Sequence, residues 1–325
     1  MRREAILELK NLKQYFPING GIFKRVVGHV RAVDDISIAI NEQETLALVG
    51  ESGCGKSTTG KMILRLIQPT DGDILYNGQN IAALSNEQFR ALRKDIQIIF
   101  QDPYSSLNPR MTVRQLLLEP ILTHKLMPKQ QAEQEIIEII KHVGLTEKSF
   151  SKYPHEFSGG QRQRISIARA LVLKPKFLVL DEPVSALDVS IQAQILNLLK
   201  KLQQQYQLTY LFISHDLNVV RHVSDRIAVM YLGHIVEIAP AQELFENPKH
   251  PYSQALISAI PKKHPNDFVE RIILKGEIPD PSNPPEGCPF HTRCLYAKEQ
   301  CKSGTIPNFQ ISELHDVKCV LYENA

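Results

Sequence analysis

The chain has 325 residues, enough for one large domain with an appendage or for two domains. It is 43% hydrophobic and 22% charged, an ordinary soluble composition, and its net charge of +3 is too small at this length to argue for a nucleic-acid partner. The longest apolar runs, Leu46 to Val49 and Phe177 to Leu180, fall far short of the ~20 residues that cross a bilayer, and Met1-Arg2-Arg3-Glu4 lacks the apolar stretch of a signal peptide. The expectation is a cytosolic chain whose membrane role, if it has one, comes through partners.

Ile36, Ile38 and Ile40 alternate with Ser37 and Ala39, the period of a strand with one buried face. Thr45 to Val49 reads as a short buried strand, and a helix is predicted over Lys56 to Leu66, ended by Pro69 and Asp71-Gly72. Asp73 to Tyr76 is a strand closed by the hairpin signal Asn77-Gly78. From about Asn86 to Leu173 the pattern is helical. Two buried strands then return, Phe177 to Asp181 and Thr209 to Ser214. Between them runs an amphipathic helix with Ile191, Ile195, Leu198, Leu199 and Leu202 on one face. Strands alternating with helices predict parallel pairing in an α/β core, and Ile227 to Tyr231 with Ile235 to Ile238 form a hairpin around Gly233. After Pro248 the composition shifts: Pro279, Pro281, Pro284, Pro285 and Pro289 stiffen a segment that leads into a cysteine-containing tail, read as a separate small module.

Gly50-Glu51-Ser52-Gly53-Cys54-Gly55-Lys56-Ser57, followed by Thr58, fits the phosphate-loop pattern between an apolar strand and a helix. Its glycines let backbone N–H groups turn inward around phosphate oxygens, and the helix start adds positive dipole. Lys56 would reach the β- and γ-phosphates of ATP and Ser57 would bind Mg²⁺. Phe177-Leu178-Val179-Leu180 delivers Asp181 to a strand end as a second Mg²⁺ ligand, with Glu182 placed to polarise the attacking water. Phe157-Ser158-Gly159-Gly160-Gln161 is a second Gly-rich helix start, where Ser158 and the amides of Gly159 and Gly160 suit a γ-phosphate.

This last segment resembles the LSGGQ signature of the ABC transporter ATPases, with Phe157 in place of Leu, and the similarity runs from about Leu7 to Pro248. The resemblance implies a P-loop NTPase core with an antiparallel β subdomain, a helical subdomain over about 103–172 and a small C-terminal cysteine-containing extension. The implied domains are 1–248 and 249–325. It assigns Gln101 to the Q-loop as a Mg²⁺-sensing residue, Ser185-Ala186-Leu187-Asp188 to the D-loop and His215 to the switch histidine. It implies an aromatic stacked on adenine, for which Phe16 is the choice and Tyr15 the rival. Two such chains are expected to sandwich ATP head to tail.

Gln101-Asp102-Pro103-Tyr104-Ser105-Ser106-Leu107-Asn108-Pro109-Arg110, His250-Pro251-Tyr252 and Asn283-Pro284-Pro285-Glu286-Gly287-Cys288 are similar to ATPase subunits of bacterial dipeptide and oligopeptide importers, in particular to the second, F-type chain of the pair. That resemblance implies a homologous second ATPase, two transmembrane permeases, an extracytoplasmic substrate-binding protein and a peripheral place on the cytoplasmic face of the membrane. Related importers carry nickel, glutathione or other small solutes. A soluble ABC protein of DNA repair would need a long coiled coil between Lys56 and Ser158, for which there is no room. A ribosome-acting type usually carries two cassettes in one chain. A non-hydrolysing cassette would lack Glu182 or His215.

Cys288, Cys294, Cys301 and Cys319 are spaced C-x5-C-x6-C-x17-C, without the C-x2-C pairs of a zinc ribbon. Four cysteines suit either Zn²⁺ or a 4Fe-4S cluster, and the family resemblance favours the cluster. His291 and His315 keep a mixed zinc site open.

Overall fold

The computed structural model describes residues 4–20, 25–261 and 271–323. In chain order the strands are β1 (Ala5–Gly20), β2 (Arg25–Asn41), β3 (Thr45–Val49), β4 (Asp71–Tyr76), β5 (Gln79–Asn80), β6 (Ile96–Ile99), β7 (Phe177–Asp181), β8 (Thr209–Ser214), β9 (Arg226–Tyr231), β10 (His234–Pro240), β11 (Asn308–Ser312) and β12 (His315–Lys318). The helices are α1 (Lys56–Ile63), α2 (Asn86–Leu92), α3 (Pro103–Ser106), α4 (Val113–Thr123), α5 (Lys129–His142), α6 (Gly159–Leu171), α7 (Val189–Tyr206), α8 (Leu217–Val223), α9 (Ala241–Glu246) and α10 (Pro251–Ser258). They group into two units, one of residues 1–83 with 214–325, the other of 84–213.

The first unit holds an antiparallel sheet in the order β2-β1-β4-β5. Its long β1–β2 ribbon runs to Gly20 paired with Arg25, so the strands continue well beyond the alternating isoleucines of β2. A second set runs β11-β12-β10-β9-β3, with β3 parallel to β9 and the rest antiparallel. β3 is buried at every position, which is why Leu46-Ala47-Leu48-Val49 is continuously apolar. The C-terminal residues group with this unit. Glu237 of β10 pairs with Val317 of β12, and the Arg31 N–H donates to the Pro281 carbonyl at 3.0 Å. The hydrogen-bonding edge of β10 needs a partner, and the tail supplies it.

The second unit has a parallel set β6-β7-β8 and most of the helices. β7 and β8 are buried throughout. Residues 96–99 form β6, in a stretch expected to be helical; the hydrogen bonds of Ile96–Ile99 with β7 override the helical pattern on either side. Helix α4 starts on a Thr112–Gln115 capping box, and α5 buries Ala132, Ile136, Ile139 and Ile140 as one stripe. In α7 the expected face holds Ile195, Leu198, Leu199 and Leu202 buried, with Ile191 half-buried toward the start of α6. No helix among the described residues is long and apolar enough to cross a membrane.

Candidate functional site

In the first unit, β3 ends at Val49 and the chain turns through Gly50 (φ 154°), Gly53 (φ 80°) and Gly55 (φ 110°) into α1. A Cβ on Gly50 would collide with the Met230 carbonyl and one on Gly55 with the Ala32 carbonyl, so both positions need glycine for space as well as for conformation. The Gly233 N–H donates to the Cys54 carbonyl at 3.0 Å, tying the loop to the β9–β10 turn. Lys56 is buried, and its ammonium donates to the Gly50 and Glu51 carbonyls at 2.9 Å each, curling the loop around its own lysine. The first turn of α1 carries no acidic side chain, which leaves its positive end open to an anion. Ser57 and Thr58 are half-buried, whereas Ser52 and Gly53 are exposed. Burial pushes the Cys54 thiol up in pKa against the opposing pull of Lys56, so Cys54 is a neutral packing residue of the loop.

The two aromatic candidates separate cleanly. Tyr15 donates its hydroxyl to Asp34 at 2.6 Å, and the Arg31 guanidinium lies 5.7 Å from its ring centroid. Burial and the Asp34 hydrogen bond push its pKa up to about 12. Phe16 is 37% exposed, with its ring available to a flat ligand.

In the second unit, β7 brings Asp181 to its end as a buried carboxylate. Glu182 follows in a left-handed conformation (φ 48°), its N–H donating to the Ile213 carbonyl at 3.0 Å. The Gln101 amide donates to the Glu182 carboxylate at 2.9 Å and lies 3.4 Å from the Ser185 hydroxyl. Ser185 donates in turn to the Glu182 carbonyl at 3.1 Å. Gln101, Glu182 and the D-loop serine thus form one cluster. Asp188 sits at the start of α7 with no capping bond from its side chain and is exposed.

Ser158 caps α6: it accepts from the Gln161 N–H at 3.4 Å, while the Ser158 N–H donates to the Gln161 side chain at 3.1 Å. A Cβ on Gly160 would stand 2.5 Å from Ile191 Cγ2, so that glycine is required by close approach to α7. The α6 start also has no acidic residue in its first turn, and Ser158 and Gln161 are exposed. His215 follows β8 and is exposed.

Cys288, Cys294, Cys301 and Cys319 line one small cavity with His250 and His291, and all four thiols are free. Burial pushes Cys288 up to about 12 and Cys319 up to about 11, and the neighbouring thiols add to both shifts. His315 is not part of this cavity: it is fully buried between Glu237 and Glu243, at 2.8 and 2.7 Å. That removes it from a mixed zinc site. Among the described residues no group of three or more His, Cys, Asp or Glu side chains is arranged to hold a metal ion. The expected metal site is therefore present as a convergence of thiols and not as a formed ligand set.

Sequence reasoning leaves Arg293 unassigned and names Ser185 and Tyr252 only as parts of motifs. Arg293 and Tyr252 reach Glu51 of the phosphate loop from 242 and 201 positions away.

The ABC transporter family model matches residues 33–185, and the model for the oligopeptide/dipeptide transporter C-terminal region matches 236–301. Among solved structures, the post-hydrolysis dimer of the ATP-binding cassette MJ0796 bound to ADP and Pi is similar with a TM-score of 0.64 and 28% identity, over 72% of this chain and 98% of that one. CbiO1 from Clostridium perfringens, part of the transporter complex cbiONQ, is similar with a TM-score of 0.65 and 28% identity, over 75% of this chain and 92% of that one. Fold and site thus define an ABC-type ATPase. The oligopeptide transport ATP-binding protein AppF of Bacillus subtilis is 54% identical over 98% of both chains. OppF of Escherichia coli, also an oligopeptide transport ATP-binding protein, is 47% identical over 98% of this chain and 96% of its own length. The chain belongs to the family of ATP-binding subunits of oligopeptide and dipeptide ABC transporters.

Proposed function

We propose that this chain hydrolyses ATP to energise the import of short peptides through a pair of membrane permeases, as the second ATPase of a heterodimer. The observation that carries the reading is the match to oligopeptide transport ATP-binding proteins along nearly the whole chain, tail included. Lys56 and the loop amides bind the β- and γ-phosphates, and Phe16 stacks on adenine. Ser57, Asp181 and Gln101 offer the hard oxygen donors that suit Mg²⁺, which would neutralise phosphate charge during transfer. Glu182 orients the attacking water, and His215 contacts the γ-phosphate. Ser158, Gly159, Gly160, Gln161 and Asp188 complete the site of the partner cassette. Support for that last role comes from the exposure of Ser158, Gln161 and Asp188 and from the dimeric state of the similar cassette.

In the second unit a groove lined by Phe100, Leu107, Glu119, His124 and Arg169, among others, supports docking of a permease segment. The chain would then lie on the cytoplasmic membrane face, its cargo delivered by a substrate-binding protein. Reconstituted with a second ATPase and two permeases, the chain should hydrolyse ATP faster when peptide-loaded binding protein is added. The isolated chain should be a weak ATPase. Stimulation by a nickel- or glutathione-loaded binding protein and not by a peptide-loaded one would replace peptide as the cargo.

The four-thiol cavity is read as the place for a 4Fe-4S cluster, with a single Zn²⁺ as the alternative. Cys288, Cys294, Cys301 and Cys319 line it together, and four thiolates suit either group. Crowded buried thiols, raised in pKa by burial and by one another, are also where cationic iron would stabilise thiolates. Anaerobically purified protein should contain iron and acid-labile sulfide, roughly four of each per chain. One zinc and no colour would reject the cluster.

A further inference from the structure

Glu51, the second residue of the phosphate loop, has all its polar groups engaged. Its N–H donates to the Tyr252 hydroxyl at 2.9 Å, and its carbonyl accepts from Lys56 at 2.9 Å. Its carboxylate accepts from both terminal nitrogens of Arg293, at 2.8 and 3.3 Å. Arg293 is a cation only 9% exposed, and its guanidinium carbon lies 5.9 Å from the ring centroid of Tyr231. Tyr231, Tyr252 and Phe290 are fully buried and meet one another with centroids 4.7, 5.2 and 5.4 Å apart. A rigid aromatic cluster therefore presents both the phenol and the guanidinium to the loop.

The hydrolytic chemistry uses neither residue, yet electrostatics needs the guanidinium. An unpaired carboxylate in an anion-binding loop would repel incoming phosphates, strongly so where burial lowers the dielectric. A two-point guanidinium–carboxylate pair cancels that charge and fixes the side chain at once. Burial works against the charged guanidinium, but the hydrogen bonds to Glu51 and Tyr231 outweigh it and hold its pKa above the usual arginine value.

We propose that Arg293 is a positioning residue for nucleotide binding: with Tyr252 it pins Glu51 and neutralises it, so that the loop is formed before ATP arrives. The proposal rests on the nucleotide-binding reading of the loop and makes the C-terminal segment part of that machinery.

The test is a double-mutant cycle in the full chain, titrated with MgATP. Arg293→Ala should weaken ATP binding about tenfold, and Arg293→Lys should recover part of the loss, since it restores charge without the planar fork. In a Glu51→Gln background, Arg293→Ala should change affinity by less than about threefold, because no carboxylate is left to neutralise. A full tenfold loss in that background would make Arg293 a merely structural residue and overturn the proposal. So would unchanged affinity in Arg293→Ala. Should that variant fail to fold, Arg293→Gln carries the same cycle. Wild-type protein that fails to bind MgATP would reject the reading of the loop itself, an outcome distinct from failure of the cycle.

Discussion

Around the phosphate loop the fold answers the polar groups from within. Lys56 rests on two loop carbonyls, Cys54 is tied to Gly233, and Glu51 is held at its N–H, carbonyl and carboxylate. The cluster after β7 is built differently. Gln101 and Ser185 are exposed, and the Glu182 carboxylate meets Gln101 through an exposed hydrogen bond of 2.9 Å. The loop is preorganised to bind, so damage there should be steric and should show in affinity. The Gln101–Glu182 bond is exposed and can be exchanged, so damage there should show in turnover with the fold intact.

The sharpest way to break this contrast is Glu182→Gln. Removing the base should lower the rate of ATP hydrolysis in the assembled transporter by about a hundredfold or more while nucleotide affinity holds, measured by phosphate release and by equilibrium binding. Gly55→Ala should do the opposite. A left-handed backbone and a carbonyl collision leave nothing flexible to yield, so about 2 kcal/mol or more of strain should appear as ATP binding weakened roughly thirtyfold. If both variants altered turnover and affinity alike, the distinction between the two regions would fail. Gln101→Ala, which removes the hydrogen bond to Glu182 together with a proposed Mg²⁺ contact, should reduce the hydrolysis rate by about tenfold with little change in KM.

The smallest expected effect lies away from both regions, at His315. Burial favours its neutral form, but its hydrogen bonds to Glu237 and Glu243 outweigh burial and raise its pKa above the ordinary 6.5. Its contribution to stability is therefore fully present below pH 6.5 and lost as pH rises through the raised value. Thermal melting of the wild type should fall by a few degrees across that window. In His315→Gln this step should vanish.

The strands β3, β7 and β8 could be read from the sequence to the residue because burial on every side leaves each an apolar run with polar residues only at its ends. The same continuity made Gly50 to Ser57 and Asp181-Glu182 legible, since each motif begins where such a run stops. Strand β6 was hidden: four residues with Gln97 among them, between helical stretches, carry too little period to outweigh their neighbours. The far end of the β1–β2 ribbon was hidden because Pro17, Asn19 and Gly20 carry no strand period, although the ladder continues through them. The grip of Arg293 on Glu51 leaves no local trace, because only the tertiary fold brings together residues 242 positions apart.

The left-handed backbone at Glu182 sets two demands against each other. At φ 48° a glycine or an asparagine would sit more easily, and a non-glycine there costs on the order of 1 kcal/mol. The role proposed for that position asks for a carboxylate, which sets the backbone cost against hydrolysis. Under that role, a cassette released from hydrolysis would be free to trade the glutamate for a residue easier in that conformation, and residue 182 is where such a change would first show.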